Sequence, residues 1–97
     1  MPTYIALSTF TDQGMRNVKD TTKRAAATQA LAQKFGANMT RVYWTLGPFD
    51  LVAIIEADDE QAATTFAMAI GAAGNIRTQT LRAFDSAEMD AILGKMP

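Results

Sequence analysis

An aspartate, Asp50, stands where the sequence passes from a turn into an aliphatic segment, within the stretch LGPFDLVAI at positions 46–54. A carboxylate at the start of a buried strand is costly unless it is paired or hydrogen-bonded. Asp50 is therefore a candidate to bind a cationic or hydroxylated ligand, or to act as a general base. The structural alternative is a carboxylate that accepts hydrogen bonds from backbone amides or pairs with an arginine.

Arg77 is a candidate partner for that carboxylate. It lies in the segment NIRTQT, which reads as a strand and must pair with a neighbour in the sheet, so an arginine–carboxylate contact is geometrically plausible. In a binding site, Arg77 and Asp50 would supply the polar groups. The alternative is a salt bridge that only stabilises the fold, because breaking such a pair costs more than forming it yields.

Aromatic residues crowd the same turn. Tyr43, Trp44 and Phe49 can form a flat wall for a small ligand, or they can pack in the core or in a dimer interface. Gly47 and Pro48 predict turn geometry, and a direct backbone contact with a ligand is the alternative.

Hydroxyl groups are also available on one face of the predicted sheet, at Ser8, Thr45, Thr78 and Thr80. None of them has a histidine or a nearby lysine at the spacing of a nucleophile and its base, so hydrolysis by a catalytic triad is not expected. The chain contains no cysteine and no histidine, which removes thiolate chemistry and the usual zinc and haem ligands. We predict neither a metal site nor a cofactor.

Composition narrows the classes of partner. The 97 residues are 48% hydrophobic and 20% charged, which is typical of one globular domain. A net charge of −1 leaves no broad basic surface for nucleic acid. No apolar run approaches the roughly 20 residues of a membrane span, and the N-terminus lacks the pattern of a signal peptide, so a cytoplasmic location is expected.

The elements that must position these residues follow from periodicity and capping signals. A βαββαβ order with a short C-terminal helix predicts an α+β, ferredoxin-like fold with a four-stranded antiparallel sheet. The predicted elements are a strand at 3–10, one long helix from Thr11 to Phe35 capped by Thr11 or Asp12, a hairpin of strands 39–46 and 49–56, a helix capped by Asp58 or Asp59 and ended by Gly71 and Gly74, a strand at 75–84, and a final helix capped by Asp85 and Glu88.

The predicted sheet carries apolar residues on both faces. Ile5 and Leu7 alternate with a second apolar set in the first strand, and LVAII at 51–55 is almost continuously aliphatic. Helices of this fold cover one face only, so a second copy of the chain is expected to cover the other. We expect a homodimer or larger oligomer, with one of Val52 and Ile54 facing the partner and the other facing the helices.

Three segments resemble the GYD domain, a bacterial family named for a Gly-x-Tyr-Asp motif: residues 4–25, 43–50 and 74–84. They cover most of the chain, which is identified as a single GYD-like domain over residues 1–97. The resemblance implies membership of the dimeric α/β-barrel group. Phe49 replaces the tyrosine of the motif, so a phenol hydroxyl is absent there, whereas Gly47 and Asp50 are retained.

The same resemblance places Lys19 and Arg24 at two basic positions of the family. A run of charges is usually a solvated helix face, but either side chain could arch over the sheet edge toward Asp50.

These observations favour a small-molecule-binding or sensing module that acts as a homo-oligomer. Its candidate ligand contacts are Asp50, Arg77, Lys19, Arg24, Tyr43, Trp44 and Thr45. The same residues leave two alternative functions open. One is a cofactor-free monooxygenase- or isomerase-like enzyme, by analogy with the dimeric α/β-barrel group, and the other is a purely structural oligomer.

Overall fold

A computed structural model describes all residues, 1–97, and confirms the α+β, ferredoxin-like fold. The four strands form one antiparallel sheet in the order β2-β3-β1-β4. A single 3₁₀ turn, Val18–Asp20, joins the first two helices. The elements are β1 (Thr3–Phe10), α1 (Asp12–Arg16), α2 (Thr21–Lys34), β2 (Ala37–Trp44), β3 (Leu51–Ala57), α3 (Glu60–Ala72), β4 (Ile76–Ala83) and α4 (Ser86–Leu93).

The predicted long helix, Thr11–Phe35, is wrong in its middle. Thr11 caps α1 as expected, since its hydroxyl accepts a hydrogen bond from the Gly14 amide at 3.1 Å. The helix then stops at Asn17, whose backbone N–H and side-chain amide both donate to the Gln13 carbonyl. The following residues, VKDTT, are mostly weak helix formers, so nothing local opposes the break.

Close contact with the start of β4 holds α1 in place. The Thr11 backbone donates to the Asn75 carbonyl at 3.1 Å, and its hydroxyl donates to the Gly74 carbonyl at 2.6 Å. Gly14 is buried against the same strand entry, where a Cβ would stand 1.9 Å from the Asn75 oxygen. Only glycine permits this approach of the two backbones.

The predicted hairpin is present, with β2 and β3 paired from Ala37 opposite Ala57 to Trp44 opposite Leu51. The six intervening residues contain Gly47, whose φ of 121° lies in the region that favours glycine. The Thr45 backbone donates to the Asp50 carbonyl at 2.9 Å, and its hydroxyl donates to the Phe49 carbonyl at 2.5 Å. These bonds close the loop on itself.

The caps of α3 and α4 agree with the sequence, which left Asp58 and Asp59 as alternatives for α3. Asp59, not Asp58, caps α3, because its carboxylate accepts from the Ala62 amide at 2.8 Å. Asp85 and Glu88 form the predicted capping box at the start of α4.

The helices cover one face of the sheet, where Tyr4, Ala6 and Ser8 of β1 are buried. The core on this side is completed by α2 and α3, with Phe66 the largest fully buried side chain. A radius of gyration of 14.6 Å exceeds the roughly 12.5 Å expected for this length. None of the helices has the length and apolar character that crossing a bilayer requires.

The other side of the sheet, here called the open face, has an apolar centre. Ile5 lies opposite Ile54 on one neighbouring strand and Leu81 on the other, and Leu7 lies opposite Val52. The expectation that Val52 and Ile54 face opposite sides was wrong, because residues two apart in a strand point the same way. Both belong to the open face.

Helix α4 adds a second unpartnered apolar surface. All of its residues except Glu88 are exposed. The molecule is longer than its strands: its longest dimension is 52 Å, whereas an eight-residue strand spans only about 27 Å. The exposed apolar side chains in and beside α4 are Phe84, Met89, Ile92, Leu93 and Met96.

Candidate functional site

A cavity of about 140 Å³ lies between the sheet and the helices α2 and α3. Seventeen of its 24 lining residues are hydrophobic, so its walls suit an apolar ligand body. Its volume is close to that of an apolar cavity that admits benzene, for which about 150 Å³ is enough.

Small side chains on opposing layers leave this space. Ala6 and Ala53 line it from the sheet, and Ala63, Ala67 and Ala73 line it from α3 and its C-terminal end. Where short side chains meet across two layers held apart by larger neighbours such as Phe66, the gap is not filled.

Two hydroxyls in the sheet wall are bonded to each other. The Ser8 and Thr78 hydroxyl oxygens lie 2.9 Å apart, and only 4% of Ser8 is exposed. A hydroxyl pair of this kind satisfies one donor and leaves acceptor capacity toward the cavity.

The hydroxyl of Tyr4, by contrast, is buried and has no hydrogen-bond partner. Tyr4 is 6% exposed and lines the cavity from β1. The nearby Arg82 guanidinium lies 5.7 Å from the centre of the Tyr4 ring, but it donates to backbone carbonyls of Thr3 and Ala83 and pairs with Glu88 at 3.4 Å. Tyr4 therefore lines the cavity and carries a buried hydroxyl whose donor and acceptor are unsatisfied.

Arg24 is the one charged residue among the lining residues. It lies beside α1, where its guanidinium donates to the carbonyls of Asn17 at 2.5 Å and Gly14 at 3.4 Å. Gly14 abuts Asn75, close to the Phe10 end of β1, whereas Tyr4 lies near the other end of that strand. The cavity thus has a cation toward one end and an unpartnered hydroxyl toward the other.

Comparison with known proteins places this architecture in a family. The family model described as "GYD domain" matches residues 4–93. The chain belongs to the GYD domain family. A Thermus thermophilus protein named "Glutamine synthetase and cystathionine beta-lyase binding protein" is 35% identical over 94 residues, which cover 96% of this chain and 99% of that protein.

The crystal structure of a protein from Thermus thermophilus has a similar fold. It superposes with a TM-score of 0.56 at 24% identity and covers 89% of this chain and 96% of its own. At that identity the likeness supports the fold alone.

Asp50 of this GYD domain is half-buried and engages the backbone. Its carboxylate accepts from the Phe10 amide at 2.9 Å, and its own amide donates to the Ser8 carbonyl at 2.8 Å. Asp50 is not among the residues that line the cavity, but Ser8 and Phe10 are. The geometry matches the structural alternative, since Asp50 fixes the end of β1 that carries two lining residues.

The predicted approach of basic residues to Asp50 is absent. Lys19 is exposed in the 3₁₀ turn, and Arg24 is held at the carbonyls beside α1. Arg77 is exposed and paired with Thr9, a residue of the open face. The chain contains one ion pair, between Arg82 and Glu88. Arg77 makes no ion pair with Asp50, because the register of β4 places it opposite Thr9.

The aromatic wall predicted around the turn does not line the cavity either. Tyr43 is 49% exposed, and its hydroxyl accepts a hydrogen bond from Arg41 at 3.1 Å. Trp44 is 43% exposed, and its indole N–H donates to the Thr21 hydroxyl at 3.0 Å. Thr21 lines the cavity and Trp44 does not. The hydrogen bond between them links the end of β2 to the start of α2. Thr45, Gly47, Pro48 and Phe49 form the adjoining loop.

Of the predicted ligand contacts, only Arg24 lines the cavity, although the hydroxyl residues Ser8, Thr78 and Thr80 noted in the sequence line it too. Tyr4 was missed. A usable signal for Tyr4 was present in β1, where it shares a face with the small residues Ala6 and Ser8. A tyrosine on the helix-covered side must find a partner for its hydroxyl, and alanine-rich helices supply none.

Proposed function

We propose that this GYD domain binds a small molecule in the cavity between its sheet and its helices. The observation that carries the proposal is an apolar cavity whose wall includes Tyr4, a residue whose buried hydroxyl has no partner. An unsatisfied buried hydroxyl costs about 1–3 kcal/mol of stability. A ligand that exchanges a hydrogen bond with Tyr4 recovers that free energy on binding.

The lining favours binding or sensing over catalysis. It includes hydroxyls, one amide and one guanidinium, but neither a carboxylate nor a lysine that would act as a general base near neutral pH. An enzyme-like role would need an acid–base group from outside this set, and Asp50 is engaged by the Phe10 amide.

We also propose that the domain associates, with itself and with other proteins. The open face and α4 present apolar surface that a lone chain leaves in water, as protein-interaction sites do. The naming of the Thermus relative for two enzymes supports a role in binding protein partners. A cavity and an interaction surface on opposite sides of one sheet suit a binding module that senses a metabolite.

Replacing Tyr4 with phenylalanine is the sharpest test of the cavity. Without ligand, Tyr4→Phe is expected to raise the free energy of unfolding by about 1–3 kcal/mol, because it removes the unpaired hydroxyl and keeps the ring. Chemical denaturation at a fixed protein concentration measures this change.

Tyr43→Phe is the matched control, since it deletes the same atom from an exposed tyrosine and should change stability by less than about 0.5 kcal/mol. A thermal-shift screen of metabolites on the wild type follows, where binding at a hundredfold excess over Kd adds about 2.7 kcal/mol. Destabilisation by Tyr4→Phe, together with a screen in which no compound shifts Tm, would overturn the proposal.

A further inference from the structure

The charge and size of the cavity define the class of its ligand. Building on the proposed binding function, we infer that the cavity takes a small apolar monocarboxylate of about the size of benzoate. The carboxylate lies at Arg24, and the apolar body lies among the apolar lining residues next to it.

Arg24 gives the lining of the cavity its one positive charge. It is half-buried, it is the one charged residue in the lining, and it pairs with no carboxylate of its own chain. A guanidinium has five N–H donors in a planar fork, and the two hydrogen bonds to Asn17 and Gly14 leave donors free. A positive charge beside apolar walls favours an anion, and a carboxylate matches the fork.

The same two carbonyl contacts hold the Arg24 guanidinium in place before a ligand binds. The Asn17 and Gly14 carbonyls lie at the end of α1, which is itself fixed to Asn75 through Thr11. Arg24 therefore loses little side-chain freedom when an anion arrives, which improves affinity. A single arginine suits one negative charge. The lining contains no second cation, which a phosphate dianion would need.

The volume limits the apolar part of the ligand. A cavity of about 140 Å³ holds a body of roughly six carbon atoms, by comparison with the benzene-binding cavity of similar size. The carboxylate then stays near Arg24 rather than deep among Ala6, Ala53 and Ala63.

Calorimetric titration of the full chain with two probes tests the class: benzoate, and benzyl alcohol as a neutral probe of similar shape. Wild type is expected to bind benzoate at least tenfold more tightly than benzyl alcohol. Arg24→Gln should weaken benzoate at least tenfold and leave benzyl alcohol unchanged. Lys23→Gln is the control, because it removes the same charge from the exposed neighbouring position.

Arg24 also holds α1, so the fold of Arg24→Gln is checked by circular dichroism. If that variant is unfolded, a measurement on the folded wild type decides instead. Its preference for benzoate over benzyl alcohol should fall as salt rises, and a preference that salt does not change would overturn the role of Arg24.

The outcomes separate the two proposals. Equal binding of benzoate and benzyl alcohol would overturn the acid class and leave the binding function standing. A screen of neutral and charged compounds in which nothing binds would overturn both.

Discussion

Gly14→Ala is expected to lower the free energy of unfolding by about 3 kcal/mol or more. A Cβ at this position would stand 1.9 Å from the Asn75 carbonyl oxygen and 2.9 Å from its carbon, both backbone atoms of the β4 entry. Relief of that overlap requires α1 to move away, which breaks the Thr11 hydrogen bonds to Gly74 and Asn75. In a domain of this size the loss corresponds to a fall in Tm of about 12 °C or more.

Gly71→Ala is the matched control. Gly71 lies within α3, and an added Cβ meets nothing within 4 Å. The same substitution should therefore raise stability by about 0.5–1 kcal/mol through helix propensity. Denaturant unfolding of both variants compares the signs, and a neutral Gly14→Ala would show that α1 does not pack on the β4 entry as described.

The second large effect is expected in self-association. If a second copy covers the open face, Ile54→Lys places a charge at its apolar centre, beside Ile5 and opposite the partner chain. Burial of an unpaired ammonium opposes association by about 3 kcal/mol or more, which weakens it about a hundredfold. Sedimentation equilibrium should then show the 10.5 kDa chain where the wild type shows at least twice that mass.

Met68→Lys is the control for this experiment, because Met68 is 71% exposed on α3, away from the sheet. It should leave the mass unchanged. A folded wild type that sediments as a single chain at micromolar concentration would contradict self-association, and the open face would then be assigned to other protein partners.

The two proposed surfaces are linked by β1. Ile5 and Leu7 point to the open face, while Tyr4, Ala6 and Ser8 point to the cavity. A ligand that moves β1 therefore changes both sides of the sheet, which connects a sensing role to the binding of partners. Gly14→Ala and Ile54→Lys separate the two sides, since the first acts beside the cavity and the second on the open face.

Local signals in the sequence predicted the helix caps and the faces of the strands well. Thr11 and the Asp85–Glu88 box cap helices as expected, because capping depends on residues only three apart. Strand periodicity predicted apolar residues on both faces, since alternation follows from backbone geometry alone. The break at Asn17 was missed, because it depends on the fit of α1 against the entry of β4, where Thr11 and Gly14 meet the distant residue Asn75.

The sequence by itself therefore determined the order of elements, most of the caps and the two-sided apolar sheet, all of which depend on neighbours along the chain. Only the tertiary structure decided the site. The cavity exists because alanines of β1, β3 and α3 meet across the layers. Tyr4 is unpartnered because the neighbouring Arg82 guanidinium donates instead to backbone carbonyls and to Glu88. Asp50 stood out in the sequence because a carboxylate is unusual at the start of an aliphatic strand. In the folded chain its carboxylate accepts a hydrogen bond from the Phe10 amide, a contact between residues 40 positions apart.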